Sequence, residues 1–512
     1  MAAHLFVIEA PGKRKGLSGV LWRAGLRDVE VLATVGHIGA NPDGLKPLAI
    51  DEHYRELAYR LRPDRERIAA EIGAAARHAK HVYLATDDDQ EGDVIARDVL
   101  RFCIGEEDRG KALRVRLKSL TSAEVQAALA AAEPFDELSA ARGDARRVLD
   151  RMIGSLSSDA GAVGRVQGSM LILLEQLHPV VGVMTYTMPA ADGGGDWVAR
   201  EPVYAGAPIP EAGEVEGRAE PGRREMATLG ARPMNHDDIL LSASLRTGGE
   251  LREVSSAMQQ LYERGKISYP RAKDHAITRE SFRRVEALAR INGAGFDPAR
   301  FRAIRELGGE HAHEAPNPTA LDIPVNRDMD QLGFGDRVLV HVVRNLIDCG
   351  IPCQLETPRL VDLAGLDSAV ANLRWHRVLP TGERLWEPEP VEAGFKAWTK
   401  EQSLLHFMSR NGLGRPSTVL NHVEKFLSRD LTDDGFDLTA KGKAWCQHVG
   451  EIFGHQNIAA MVENYLDDNK KIPSEMVGDM IELCGLNNRG SAFSQTGHDY
   501  DQADENDAGY LP

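Results

Sequence analysis

Two short stretches, far apart in the chain, hold the residue types that phosphodiester chemistry needs. The first runs His81-Val-Tyr-Leu-Ala-Thr-Asp-Asp-Asp-Gln-Glu-Gly92, an apolar strand pattern leading into carboxylates. Asp87, Asp89 and Glu91 are spaced by two, and in extended backbone alternate side chains point the same way. They could then converge on one cation. Magnesium prefers oxygen donors and keeps waters, so two or three carboxylates beside a phosphate suffice. The same run also suits a solvated acidic turn that caps the next helix, because Asp and Glu favour helix N-termini. The second stretch is Ile267-Ser-Tyr-Pro-Arg271. Pro270 biases Tyr269 toward extended backbone and an outward ring. Arg271 can share that face, where a guanidinium would stabilise charge developing on phosphorus as a phenolate attacks. The alternative is a strand tyrosine that buries its ring.

Glu9 and Lys13 flank the first strand-to-helix turn. Glu9 could protonate a leaving ribose oxygen if nearby carboxylates raise its pKa, while Lys13 could neutralise a phosphate. A strand-end glutamate with a surface lysine is the plainer option. Gly12-Lys13 does not complete a nucleotide-binding P-loop: Val7 stands where its first glycine belongs and Arg14 where Ser or Thr belongs. ATP is not expected.

The elements around these residues alternate. Leu5 to Glu9, Val29 to Val35 and Val82 to Ala85 read as strands, with helices near Arg65 to Ala79 and from about Asp93 to Phe102. Such alternation predicts a mostly parallel, helix-covered sheet whose ligands lie beyond the carboxyl ends of strands, where Glu9 and Asp87 fall. Ser122 to Gln176 is helical in pattern, with Val148, Leu149, Met152 and Ile153 as one apolar stripe and Arg146, Arg147, Asp150 and Arg151 on its flanks. Weak strands follow Pro189. Helices resume from about Asn235 to Glu263 and stop at Gly265; Gln354 to Arg377 alternates like a strand. After Gly412-Leu-Gly-Arg-Pro-Ser-Thr418, a helix should begin at Pro416 or Ser417.

At 512 residues the chain predicts several domains. Its net charge of −16 argues against a broadly basic surface but allows a focused basic groove, and Arg109, Lys111, Arg114, Arg116 and Lys118 do cluster. Five cysteines, with only Cys349 and Cys353 closely spaced, do not make a four-ligand zinc site. No signal peptide or membrane span is evident, so the cytoplasm is the expected compartment. From about Asn487 an acidic, Gly- and Ser-containing tail should be disordered.

Taken together and in order, these segments resemble the type IA DNA topoisomerases, over roughly residues 4 to 480. Leu5-Phe-Val-Ile-Glu-Ala-Pro-Gly-Lys13 is similar to the family's opening motif, and Ala85 to Gly92 to the acidic signature of a Toprim domain. Val35-Gly-His-Ile38, Ala145 to Gly154, Gly164-Arg-Val-Gln167, Leu261 to Arg271, Ala312-His-Glu-Ala315 and Gly412 to Thr418 match further motifs. The resemblance implies a multidomain α/β plus α fold: a Rossmann-like Toprim domain, helical domains and a strand-rich arch, forming a toroid. The expected domains are Toprim at 1–134, with an excursion near 39–62 into a helical DNA-binding base at 135–180 and 396–480. The arch would take 181–234 and 325–395, a helical domain carrying the tyrosine 235–324, and the tail 485–512.

The resemblance also assigns roles. Tyr269 would attack a phosphate and keep the 5′ end, with Glu9 as general acid and Lys13 and Arg271 stabilising the transition state. Asp87, Asp89, Glu91 and Glu9 would hold Mg2+. His37, Arg147, Asp150, Arg165, Gln167, His313, Arg415, Ser417 and Thr418 would contact DNA. The implied partner is a single-stranded region of negatively supercoiled duplex, acted on without ATP or membrane by a nucleoid-associated monomer. The sequence departs from the family at Gln90 (usually Arg), at Ala272-Lys273 (usually Thr-Asp) and at Pro316-Asn317, and it lacks cysteine-rich zinc ribbons. Two rival functions remain: another Toprim enzyme, such as a nuclease or primase, or a catalytically degenerate toroid that binds single-stranded DNA.

Overall fold

The computed structural model describes residues 2–46, 48–157, 163–210, 213–306, 313–362, 368–384, 386 and 390–486. The tail expected from Asn487 lies outside them. The chain divides into two compact units, one of residues 1–173, 263–265 and 440–512, the other of 174–262 and 266–439.

The first unit is built on a five-stranded sheet. Its elements are β1 (His4–Ile8), α1 (Lys13–Arg23), β2 (Val29–Ala33), α2 (Glu66–His78), β3 (His81–Leu84), α3 (Gln90–Phe102), β4 (Ala112–Arg114), α4 (Ser122–Ala130) and β5 (Glu133–Pro134). The strand order is β2-β1-β3-β4-β5, parallel except for β5. Alternation along β1 explains why both faces are covered. Leu5 and Val7 enter one apolar cluster with Ile72 and Val99 from α2 and α3; Phe6 and Ile8 enter another with Leu17 and Leu21 from α1. Full burial of each such side chain contributes about 1.5–3 kcal/mol. The order reverses at β1, so the crevice beyond the carboxyl ends of β1 and β3 is where this topology binds ligands. The parallel, helix-covered sheet expected from the sequence is present.

Helices α5 (Glu137–Leu156) and α6 (Arg165–Gln176) follow. The second unit contains antiparallel sheets and helices: β6 (Val180–Met188), β7 (Trp197–Tyr204), β8 (Arg218–Thr228), α7 (His236–Thr247), α8 (Leu251–Glu263), α9 (Arg279–Asn292), α10 (Phe334–Asp348), β9 (Pro352–Asp362), β10 (Arg377–Pro380), β11 (Gly394–Ala397), α11 (Lys400–Arg410) and α12 (Val419–Leu427). Strands β8, β9 and β10 form one sheet; β11, β6 and β7 form another. The helical stretch after Asn235 breaks at Gly248, whose φ of 71° ends α7. Helix α12 begins at Val419 rather than Pro416 or Ser417, because Arg415 to Thr418 close a turn in which the Thr418 and Val419 N–H groups donate to the Arg415 carbonyl. The chain returns to the first unit with α13 (Ala440–Phe453), α14 (Ile458–Asp468) and α15 (Pro473–Leu483). No helix of the described residues is long and apolar enough to cross a membrane.

One glycine fixes the turn that matters most. A Cβ on Gly92 would collide with the Asp87 backbone carbonyl, so the acidic loop folds tightly over the start of α3 only without a side chain there. Gly92→Ala is expected to destabilise the protein by about 1–3 kcal/mol, read as a lowered Tm in thermal unfolding. An unchanged Tm would show that the loop relaxes freely.

Candidate active site

At the carboxyl end of β3 the chain turns sharply. Asp89 has extended backbone and caps α3, its Oδ1 accepting from the Gly92 N–H at 2.7 Å. This corrects the expectation that Asp87, Asp89 and Glu91 share one extended face: extension ends at Asp89, and Glu91 lies in the first helical turn. Helix α3 therefore begins at Gln90 rather than near Asp93. Among the described residues no group of three or more His, Cys, Asp or Glu side chains is placed to hold a metal. The donors still fit a hard divalent cation by type, since magnesium needs only one or two carboxylates plus water and substrate oxygens.

Three carboxylates of the turn, Asp87, Asp88 and Glu91, are paired with cations. Asp87, 6% exposed, pairs with Lys13 at the start of α1, itself 4% exposed. Asp88 accepts from Arg116 at 2.9 Å. Glu91 accepts from Arg146 at 3.3 Å and lies 3.1 Å from His37 Nε2. Burial disfavours the charged imidazolium, yet the hydrogen bond and charge of Glu91 outweigh it and raise the His37 pKa. His37 owes its position to a strained turn. Val35, β-branched, has φ 58° and Gly36 φ 87°. The Val35 N–H donates to the Glu9 carbonyl at 3.0 Å, and Arg65 donates to the Val35 carbonyl at 3.0 Å. Strain of this kind, on the order of 1–3 kcal/mol, gathers at functional sites.

Arg114 holds the turn from below. It is 2% exposed, and its guanidinium donates to the carbonyls of Leu84, Thr86, Asp87 and Val115 and to the Asp93 carboxylate. Burial lifts the Asp93 pKa more than Arg114 and Arg116 lower it. Sequence reasoning placed Arg114 in a basic cluster but missed this role; its place on a strand directly beside β3 was the available signal.

The basic helices turn inward. Arg147 pairs with Glu56 and Asp144 and stacks over Tyr59 at 4.0 Å. Arg165, 2% exposed, donates to Asp150 at 2.8 Å, to Glu463 at 3.1 Å and to the Ala459 carbonyl. Gln167 is buried as well. In this structure Arg165 thus ties α6 to α5 and α14, Arg147 ties α5 to the segment around Glu56 and Tyr59, and Arg146, expected on a flank, is buried against Gln90, Glu91 and Glu463. Gln90, where the related motif has arginine, accepts from Arg146; an arginine there would face another guanidinium.

In the second unit, Tyr269 is 3% exposed, which corrects the outward ring expected from Pro270. It packs edge-on to Tyr262 at 5.6 Å and against His313 at 4.7 Å between ring centroids. The backbone around it is clamped from two sides. Asn317, fully buried, accepts at its carbonyl from the Ser268 N–H and donates from its own N–H and Nδ2 to Ser268 Oγ, both at 3.0 Å. On the other side, the His236 N–H donates to the Ala272 carbonyl at 2.9 Å, His236 Nδ1 lies 3.0 Å from the Pro270 carbonyl, and Asn235 donates to the Lys273 carbonyl at 3.2 Å. Burial lowers the His236 pKa, so the ring stays neutral and carries its proton on Nδ1. Both clamps escaped sequence reasoning, although Asn317 sits at a noted departure. Arg271 and His313 are half-buried. Arg415, Ser417 and Thr418 lie half-buried in the turn before α12, after Gly412 and Gly414 at φ 65° and 80°.

An acidic turn on a strand of this sheet order, with a lysine entering from the first helix, matches a described domain: residues 4–120 fit the family model named Toprim domain. These residues form a Toprim domain. Beyond it, the chain is 26% identical over 355 residues to "DNA topoisomerase I, plasmid" of Xylella fastidiosa, covering 62% of this chain and 51% of that protein. It is 24% identical to DNA topoisomerase 1 of Buchnera aphidicola, covering 88% of this chain and 61% of that protein. The chain spans about half to three-fifths the length of these curated relatives. Full-length topoisomerase I from Thermotoga maritima superposes with a TM-score of 0.65 at 17% identity, covering 94% of this chain and 90% of that one. The chain is thus similar to bacterial DNA topoisomerases 1 along most of its length, with the Toprim domain and multidomain α/β fold expected from the sequence.

Proposed function

We propose that this protein is a type IA DNA topoisomerase that relaxes negatively supercoiled DNA with magnesium and without ATP. The observation carrying this reading is the acidic turn of the Toprim domain, pinned by Arg114 and paired to Lys13, in a chain that also carries a clamped Tyr269-Pro270-Arg271 segment. Tyr269 attacks a DNA phosphorus: its oxygen bonds to phosphorus, the bond to the 3′ oxygen breaks, and the phenolic proton passes to water. Glu9 gives its proton to the departing 3′ oxygen. Lys13 and Arg271 balance the charge that develops on the phosphoryl oxygens. Asp87, Asp89, Glu91 and Glu9 would hold the divalent cation, which supplies further neutralisation of phosphate charge when bound. The phosphotyrosyl ester keeps the bond energy, so the freed 3′ hydroxyl reseals the strand after another passes.

His37, His313, Arg415, Ser417 and Thr418 are assigned to the single-stranded DNA path. Arg147, Asp150, Arg165 and Gln167, also assigned to that path from sequence, position it through helix α5 and its neighbours, given the pairing described above. The domain layout given from sequence, with its toroid, goes with this reading, as do a monomeric state and a place among the nucleoid DNA of the cytoplasm. The test is incubation with negatively supercoiled plasmid, magnesium and no nucleotide. A ladder of topoisomers supports the proposal. Nicked or linear DNA without a ladder favours a Toprim nuclease, and binding at unchanged linking number favours a degenerate strand-binding toroid.

His236 should act as a positioning residue for the tyrosine segment. His236→Ala is expected to slow single-turnover cleavage by about 10–100-fold, the scale of an ångström-sized misplacement. His236→Asn, which can donate to the Pro270 carbonyl, should recover much of the rate. Equal loss in both variants would contradict a positioning role.

A further inference from the structure

The second unit holds a cavity of about 720 Å³ that contains none of the residues assigned above to cleavage or to the DNA path. It lies among β6, β7 and α11, and its walls bring together Trp398, His406, Tyr204, Arg200 and Arg410. The aromatic wall is built, not incidental. The Trp398 backbone N–H extends the β11–β6 pairing by donating to the Val181 carbonyl at 2.8 Å, which holds this residue's backbone just before α11. The His406 ring meets it edge-on, with centroids 5.2 Å apart at 70°. Tyr204 leaves 49% of its surface exposed, an unusual loss for so large a ring at the end of a strand. The one lining carboxylate, Glu201, is engaged by the Tyr186 hydroxyl at 2.6 Å. Two arginines therefore face the space against one occupied acid, in a chain whose net charge is −16.

Aromatic faces beside arginines are what a nucleotide requires: a flat base to stack and a phosphate to pair. The volume falls in the range that holds small ligands, roughly 300–1,000 Å³. We infer that this cavity binds one nucleotide of single-stranded DNA, its base against Trp398 or Tyr204 and its phosphate against Arg410 or Arg200. It would serve as a second strand-holding site, apart from the cleavage residues. The inference rests on the proposed function for the presence of single-stranded DNA, but its test does not depend on cleavage.

The probe is a short oligothymidylate carrying 5-iododeoxyuridine and fluorescein, added to the full chain without metal. Irradiation should crosslink it to peptides containing Trp398 or Tyr204. By anisotropy, Trp398→Leu should weaken binding about ten-fold, the scale of one lost base stack. Arg410→Gln, at the exposed end of α11, should lower the salt slope of log Kd by about 1. Should Trp398→Leu fail to fold, Tyr204→Ala and Arg410→Gln carry the same test. Crosslinks only elsewhere, with affinity and salt slope unchanged in these variants, would overturn the inference and would favour a protein segment as the occupant. A Tyr269 adduct assayed in parallel keeps the two claims separate. Adduct without cavity crosslinks refutes this site alone; cavity crosslinks without any adduct support the site and refute the cleavage reading.

Discussion

Tyr269→Phe should abolish covalent attachment to DNA and lower plasmid relaxation by at least about a thousand-fold, because the variant lacks the phenolic oxygen proposed to form the ester. The ring is 3% exposed and packs on Tyr262 and His313 through carbon surface, which phenylalanine keeps. Stability should therefore change by only about 1 kcal/mol, the scale of one hydroxyl's hydrogen bond. DNA binding should persist. The pairing of a complete chemical loss with an intact fold separates a nucleophile from a structural tyrosine. Relaxation comparable to that of the parent protein would reassign the chemistry to another group.

Arg114→Met should have the largest effect of any substitution that leaves every proposed catalytic atom in place. It removes a buried guanidinium that satisfies four backbone carbonyls and one carboxylate. Breaking a buried ion pair on one side costs about 3–5 kcal/mol, and the stranded carbonyls add to that. Total stability of a domain is commonly about 5–15 kcal/mol, so the Toprim domain should be left marginal. Asp93 keeps Arg116 but loses its buried partner, and its pKa, already raised by burial, should rise further. A carboxyl with a folded pKa above its unfolded value binds more protons when folded. The variant's stability should therefore fall as pH climbs from the ordinary carboxylate range through that raised value. Arg114→Lys keeps charge but not the five-donor fork and should land between the two. Denaturant unfolding at several pH values reads all three proteins.

The parallel sheet was legible because its strands are short apolar runs bounded by turns, a pattern that survives any tertiary context. The acidic run after Leu84 was legible as a site by residue type, yet its geometry was not. Whether Glu91 continues a strand or enters a helix depends on Asp89 capping α3 and on Gly92 fitting under the Asp87 carbonyl, and both are decided by packing. Tyr269 was legible as a nucleophile candidate, but a proline in sequence fixes only local backbone; the neighbours that bury the ring come from residues 262 and 313. For Arg147 and Arg165, which the resemblance assigns to DNA, a helix face shows the charge without showing which acids it meets within the protein. Glu56 and Glu463, far off in sequence, decide that. The same holds for His236, whose partner carbonyl is 34 residues away.

Mass spectrometry of a trapped adduct tests the bond between Tyr269 and DNA directly. The full chain is incubated with a single-stranded oligonucleotide and magnesium, denatured, and digested with protease and nuclease. The expected product is a nucleotide joined through its 5′ phosphate to the peptide containing Tyr269, with a free 3′ hydroxyl on the other fragment. A nucleotide attached to any other residue or through its 3′ phosphate, or strand scission with no attached peptide, would contradict it.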